Sequence, residues 1–115
     1  MSRIWHNPAC STSRKALAAL QAAGETPEVI LYLKQGWTEP QLRALFAAAG
    51  LTPRQALRVK GTRAADLGLT DPDTSDAAIL AAMLAEPALV ERPFVATARG
   101  TRLCRPFERL AEILP

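Results

Sequence analysis

Apolar positions along the chain follow two periods, and the order in which they appear outlines the fold. Arg3 to Trp5 is a short run that ends against Asn7-Pro8, the pattern of a buried first strand. From about Ser13 to Ala23, Ala16, Leu17 and Leu20 recur at helical spacing, and Gly24 supplies a stop. Glu28-Val29-Ile30-Leu31-Tyr32 is β-branched and apolar and reads as a second buried strand. A strand, a helix and a strand in this order predict a right-handed βαβ unit with its two strands parallel.

The pattern then becomes helical. Thr38-Glu39-Pro40-Gln41 has the form of a capping box, and Leu42, Leu45, Phe46 and Ala49 continue one face up to Gly50. Thr52 to Leu57 and Arg63 to Leu67 read as two short helical pieces. Ser75 to Ala85 reads as a longer one carrying Ile79, Leu80, Met83 and Leu84. Past this block, Phe94-Val95-Ala96-Thr97 and Thr101-Arg102-Leu103-Cys104 flank Arg99-Gly100 as a hairpin. Pro106 opens a final helix through Leu114, with Phe107, Leu110, Ala111 and Leu114 expected to face inward.

The order β-α-β, helical insertion, β-β-α predicts an α/β fold of thioredoxin-like type. It has a four-stranded mixed sheet, helices on both faces and an insertion between the halves at about 38–85. All 115 residues are read as one domain. In this arrangement Arg92-Pro93 falls just before the third strand, where a cis-proline commonly faces an active cysteine.

Composition narrows the class. Apolar residues make up 49% of the chain and the formal charge is only +3, so neither a disordered chain nor a dense basic stripe for nucleic acid is indicated. Eleven of the fourteen basic residues are arginine, the side chain suited to bidentate contacts with oxyanions, although a GC-rich genome accounts for much of such an excess. The first ten residues lack the form of a secretory signal, and the longest apolar run, Ala77 to Ala85, is too short to span a bilayer. A cytoplasmic protein with no membrane association is expected. Cys10 and Cys104 lie at opposite ends of the chain, and His6 is the sole histidine, so neither a metal site nor a structural disulfide is expected.

The chemistry concentrates in His6-Asn7-Pro8-Ala9-Cys10-Ser11-Thr12-Ser13-Arg14. This loop places a thiol at a helix N-terminus, where unpaired backbone N–H groups and the helix dipole favour an anion and lower a thiol from its ordinary value near ~8.5. A dithiol cycle needs a second cysteine three positions on, and that position is Ser13, whose hydroxyl could instead hydrogen-bond the thiolate. A cysteine-phosphatase cradle needs an arginine six positions on, and that position is Ala16. A single nucleophilic cysteine, rescued by external thiols, remains.

Several stretches together resemble the glutathione- and glutaredoxin-dependent arsenate reductases of bacteria. These are His6 to Arg14, Ile30-Leu31-Tyr32-Leu33, Leu67-Gly68-Leu69, Glu91-Arg92-Pro93 and Gly100 to Pro106. The resemblance implies the thioredoxin-like fold and a reaction in which the Cys10 thiolate attacks arsenate to give a covalent sulfur–arsenic(V) adduct. Glutathione, as co-substrate, reduces the adduct, and glutaredoxin resolves the resulting mixed disulfide; no bound cofactor is implied. By position in the motifs, Arg58, Arg92 and Arg105 match the family's three oxyanion-binding arginines. His6 matches its histidine, either protonated to lower the thiol pKa or neutral and bonded to the loop backbone. The residues around Arg58, Val59-Lys60-Gly61-Thr62, depart from the family pattern, and Arg58 also fits a solvated helix position. Cys104 matches a family cysteine and reads as a core residue in a strand. The best-known members extend past the final helix, whereas this sequence stops at Pro115.

Two other functions share the superfamily. One is a thiol-stress transcription regulator, whose C-x-x-C switch Ser13 interrupts. The other is a glutathione-linked protein of thioredoxin fold without arsenate activity.

Overall fold

Strand β1 (Arg3–Trp5) lies inside the sheet. In the computed structural model, which describes residues 2–115, β2 (Glu28–Ile30) pairs with it in parallel and β3 (Phe94–Thr97) antiparallel. β4 (Gly100–Leu103) completes the order β2-β1-β3-β4, the mixed four-stranded sheet that the sequence predicts. Ile4 and Val95, opposite one another in the register, are fully buried beneath Ala16 and Leu20 of α1 (Ser11–Ala22) and beneath Leu110 and Ile113. Burial of these side chains contributes on the order of 1.5–3 kcal/mol for each large aliphatic residue, and it binds the first and last segments of the chain into one core.

Chain contacts divide the protein into two units, residues 1–35 with 92–115, and residues 36–91. The first holds the sheet, α1, the one-turn helix α2 (Tyr32–Gln35) and a terminal 3-10 helix, Phe107–Glu112. In the second, α3 (Glu39–Ala49) begins with the predicted capping box, Thr38 Oγ1 accepting from the Gln41 N–H and Gln41 Oε1 accepting from the Thr38 N–H. α4 (Asp76–Ala85) is capped by Ser75 and buries Ile79, Leu80 and Met83. Its chain also carries Pro87–Leu89 as a single 3-10 turn.

Several elements differ from the sequence reading, each for a local reason. α1 starts at Ser11, two residues before the expected start, because the polar run Ser11-Thr12-Ser13 is helical and Cys10 itself takes the extended N-cap conformation. β2 ends at Ile30 and is an edge strand with Val29 41% exposed, so its apolar run does not mark a buried strand; Tyr32, the buried residue, belongs to α2. Residues 52–57 form one hydrogen-bonded turn, closed by reciprocal Thr52 and Gln55 side-chain bonds. The chain then runs extended, with Leu57 bridging Val90 and the Arg58 N–H bonding the Leu89 carbonyl. Residues 63–67 likewise form a single turn, stopped by Gly68 at φ 75°, with Leu69 N–H returning to the Ala64 carbonyl.

The terminal helix is 3-10 rather than α. With three residues per turn, Phe107, Leu110 and Ile113 share the inner face, and Ala111 is exposed where the α spacing placed it inside. β4 closes one residue before Cys104, which follows the strand with no exposed surface.

Candidate active site

The sheet topology decides which residues meet. β1 runs antiparallel to β3 with Trp5 opposite Phe94, and β3 runs antiparallel to β4 with Phe94 opposite Leu103. The loop after β1, the residues before β3 and the residues after β4 therefore share one end of the sheet. The hairpin continues past its last strand pair through Cys104 N–H bonded to the Pro93 carbonyl at 2.8 Å. Beyond it, Arg105 Nη1 donates to the Arg92 carbonyl at 3.1 Å. Both arginines precede cis-prolines, Arg92-Pro93 as the sequence anticipates and Arg105-Pro106 in addition.

Cys10 closes this end from the other side. Its N–H bonds the Asn7 carbonyl at 3.0 Å, its own carbonyl accepts from Arg14 N–H at 3.0 Å, and it stands as the N-cap of α1. The first turn of α1 carries no acidic residue, so no carboxylate opposes an anion there. Arg105 Nη1 lies 4.0 Å from Cys10 Sγ. Burial alone pushes the thiol up; the Ser13 backbone N–H and the guanidiniums of Arg92 and Arg105 outweigh it and hold the thiol at about 7. A substantial fraction of Cys10 is thiolate at neutral pH, beside two cations able to stabilise charge on an attacked oxyanion.

His6 and Ser13 belong to the same loop as Cys10, and their hydrogen bonds select among the roles that the sequence leaves open. The Ser13 hydroxyl meets His6 Nδ1 at 2.7 Å and accepts from the Asn7 N–H at 3.1 Å, so its contribution to the thiol comes from its backbone N–H rather than its hydroxyl. His6 is buried, and its pKa is lowered first by that burial and then by the charge of Arg14. The neutral imidazole is therefore favoured, and the ring bonds a side chain rather than the loop backbone.

Arg58 lies in the unit of residues 36–91. Its guanidinium pairs with Glu91 at 2.7 Å, with Arg58 and Glu91 side chains only 10% and 18% exposed, so it is not a solvated helix residue. Cys104 sits in the core cluster with Ile4, Ala16 and Val95, where burial pushes its thiol up to about 12.

Two residues escaped the sequence reading. Asn7 is buried and shapes the loop, accepting Ala9 N–H on its side-chain Oδ1 at 3.0 Å and Cys10 N–H on its carbonyl. Asn before Pro is a turn signal, and it was the available clue. Arg14 Nη1 bonds the Pro8 carbonyl at 2.8 Å, a contact that its place in an amphipathic helix does not reveal.

The model of the ArsC family matches residues 5–113 of the chain. An arsenate reductase of Rhizobium meliloti is 55% identical over 112 residues, 97% of this chain and 80% of the relative. An arsenate reductase of Escherichia coli is 42% identical over 112 residues, 97% of this chain and 79% of the relative. Among solved structures, an arsenate reductase from Vibrio cholerae superposes with a TM-score of 0.91 at 40% identity, over 98% of this chain and 97% of that one. With a thioredoxin-like sheet and a match that runs from the first strand to the last helix, the chain belongs to the ArsC family.

Proposed function

We propose that the protein reduces arsenate to arsenite, with Cys10 as the nucleophile and glutathione and glutaredoxin as the reducing system. The observation that carries the reading is the Cys10 thiol, held at about 7 at the N-terminus of α1 with Arg105 Nη1 4.0 Å from its sulfur. The named relatives act on arsenate and share most of their length with this chain, which supports the substrate.

In the first step the Cys10 thiolate bonds to arsenic and a protonated arsenate oxygen leaves as water. Arg92 and Arg105 hold the oxyanion against the sulfur and stabilise the charge that builds on its oxygens. Arg58 is assigned a third oxyanion contact on its motif match alone. A glutathione thiolate then attacks Cys10 Sγ. The sulfur–arsenic bonding pair returns to arsenic, which passes from the V to the III state and leaves as arsenite, while the two sulfurs become a mixed disulfide. Glutaredoxin exchanges that disulfide and frees Cys10.

An external thiol is needed in this scheme because the chain supplies no partner sulfur near Cys10. Position 13 is a serine already bonded to His6, and Cys104 is a core residue with no exposed surface. The reaction requires no bound cofactor. No helix among the described residues is long and apolar enough to cross a membrane, which is compatible with the cytoplasmic location that the reading implies.

The test is turnover of the purified chain with arsenate, glutathione, glutaredoxin and a coupled NADPH-consuming reductase, with glutathione and glutaredoxin omitted one at a time and thioredoxin offered in their place. Arsenate-dependent NADPH consumption that requires both glutathione and glutaredoxin is expected. Turnover sustained by thioredoxin alone contradicts the assigned reductant, and absence of turnover under every reductant contradicts the substrate.

A further inference from the structure

Asn7 holds the turn that delivers the nucleophile. Pro8 has no N–H, so residues 7 to 10 carry three backbone donors, and all three begin or end on Asn7. Its side-chain Oδ1 accepts the Ala9 N–H at 3.0 Å, its carbonyl accepts the Cys10 N–H at 3.0 Å, and its own N–H donates to Ser13 Oγ at 3.1 Å. The residue is only 7% exposed, so its side chain is part of the interior of the loop.

We propose that Asn7 is a positioning residue for the nucleophile: its side-chain oxygen, through the Ala9 N–H, closes the loop in the form that spends the Cys10 N–H internally and sets Cys10 Sγ at the start of α1 beside Arg105. The assignment deepens the proposed reaction and rests on Cys10 as its nucleophile.

Cys10 leaves the turn in an extended conformation, φ −95° and ψ 121°, and enters α1 as its N-cap, its carbonyl accepting the Arg14 N–H at 3.0 Å. Its peptide groups are thus bonded on both sides, and the direction of its side chain follows from them. Arg105 Nη1 reaches the sulfur only at 4.0 Å, so a loop that relaxes slightly loses the contact. With the N–H groups of Ala9 and Cys10 both spent on Asn7, the charge of an oxyanion is met by Arg92 and Arg105 instead.

The residue type fits this role. The side chains of Asn and Asp have the length to accept an N–H two residues on. Asp would close the same turn with a carboxylate, and a carboxylate in this loop would oppose ionisation of the thiol. Asn supplies the acceptor without the charge, just as the first turn of α1 carries no acidic residue.

Asn7→Ala, Asn7→Ser and Asn7→Asp separate the acceptor from the fold. In each full-length variant, iodoacetamide alkylation of Cys10 across pH gives the thiol midpoint, steady-state turnover gives kcat and KM for arsenate, and circular dichroism checks folding. In Asn7→Ala the Cys10 midpoint is expected to rise above about 7. Its kcat falls by roughly 10²-fold, the loss from a small misplacement of reacting groups, while KM stays near that of wild type because Arg92 and Arg105 are untouched. Asn7→Ser, a weaker acceptor without charge, recovers part of both the midpoint and kcat. Asn7→Asp keeps the stronger acceptor and recovers kcat at alkaline pH, above a midpoint raised by its carboxylate.

A wild-type midpoint and kcat in folded Asn7→Ala overturn the proposal. A raised KM at unchanged kcat does so too, because it marks a direct contact with substrate. Failure of both Asn7→Ser and Asn7→Asp to exceed Asn7→Ala in alkaline kcat shows that the acceptor is not what matters. Where Asn7→Ala does not fold, the order of the other two decides: Asn7→Asp above Asn7→Ser in alkaline kcat is expected, and the reverse order overturns the assignment. The thiol midpoints are read without arsenate, so a chain inactive toward arsenate still shows whether Asn7 positions Cys10.

Discussion

Arg105 and Cys10 stand 95 positions apart in the sequence, and the sheet brings Arg105 Nη1 to 4.0 Å from Cys10 Sγ. The loop that carries the thiol has no arginine where a self-contained anion cradle needs one. The hairpin formed by the last two strands delivers two from elsewhere, with Arg105 bonded to the Arg92 carbonyl. Replacing either guanidinium therefore has two separable effects. Arg92→Ala and Arg105→Ala each raise the Cys10 midpoint above about 7, and each lowers kcat for arsenate by roughly 10²–10³, the loss typical of one oxyanion donor. Alkylation rates across pH and steady-state turnover check the two effects independently.

Ser13→Ala separates the hydroxyl of Ser13 from its backbone. The substitution strips a partner from His6 Nδ1 and from Asn7 N–H, both buried, at a cost of about 1–3 kcal/mol of stability. The backbone N–H that lowers the thiol is retained, so the Cys10 midpoint stays near 7. Denaturant unfolding and the alkylation profile of the same variant read the two outcomes; a midpoint that climbs toward the ordinary thiol value marks the hydroxyl as the donor.

Cys104 behaves as core. With its thiol pushed up to about 12 and no exposed surface, it resists alkylation in the native state, and one reagent molecule adds per folded chain. Cys104→Ala lowers unfolding stability through the lost packing and retains arsenate turnover with glutathione and glutaredoxin. Loss of turnover in a folded Cys104→Ala chain identifies a resolving thiol instead.

The pair of Arg58 and Glu91 ties two extended segments of the 36–91 unit, beside the backbone bonds from Arg58 N–H to Leu89 and from Glu91 N–H to Ala56. Glu91→Gln leaves the guanidinium without its carboxylate in a setting with little solvent. A loss of about 1.5–3 kcal/mol in denaturant unfolding is expected, the range for hydrogen bonds to charged groups. Asp in place of Glu91 recovers part of it.

The sequence was most legible where local chemistry and tertiary packing agree. The capping box at Thr38, the hairpin around Arg99-Gly100 and the thiol at the start of α1 each follow from a short motif whose backbone demands are specific. Legibility fell where a pattern has two physical solutions. An apolar run can be a buried strand or an edge, and Val29 is the edge case. Spacing at the C-terminus can be read with three or 3.6 residues per turn, and Ile113 rather than Ala111 took the inner position. At the site, the residue types of Cys10, Arg92 and Arg105 were visible, and the predicted hairpin accounts for the meeting of Arg92 with Arg105, whereas the antiparallel pairing of β1 with β3 is what adds Cys10. The partners of polar side chains were not visible, because a hydrogen bond such as Arg14 to Pro8 depends on where a loop carbonyl points, which no periodicity encodes.

Covalent chemistry at Cys10 underlies the proposed reaction, and intact-mass analysis tests it most directly. The purified chain is incubated with arsenate and glutathione, glutaredoxin being left out so that the mixed disulfide persists. The expected result is an arsenate-dependent mass gain of one glutathione, mapped to Cys10 and absent from Cys10→Ser. No arsenate-dependent adduct on the wild-type chain, or an equal adduct on Cys10→Ser, contradicts Cys10 as the nucleophile.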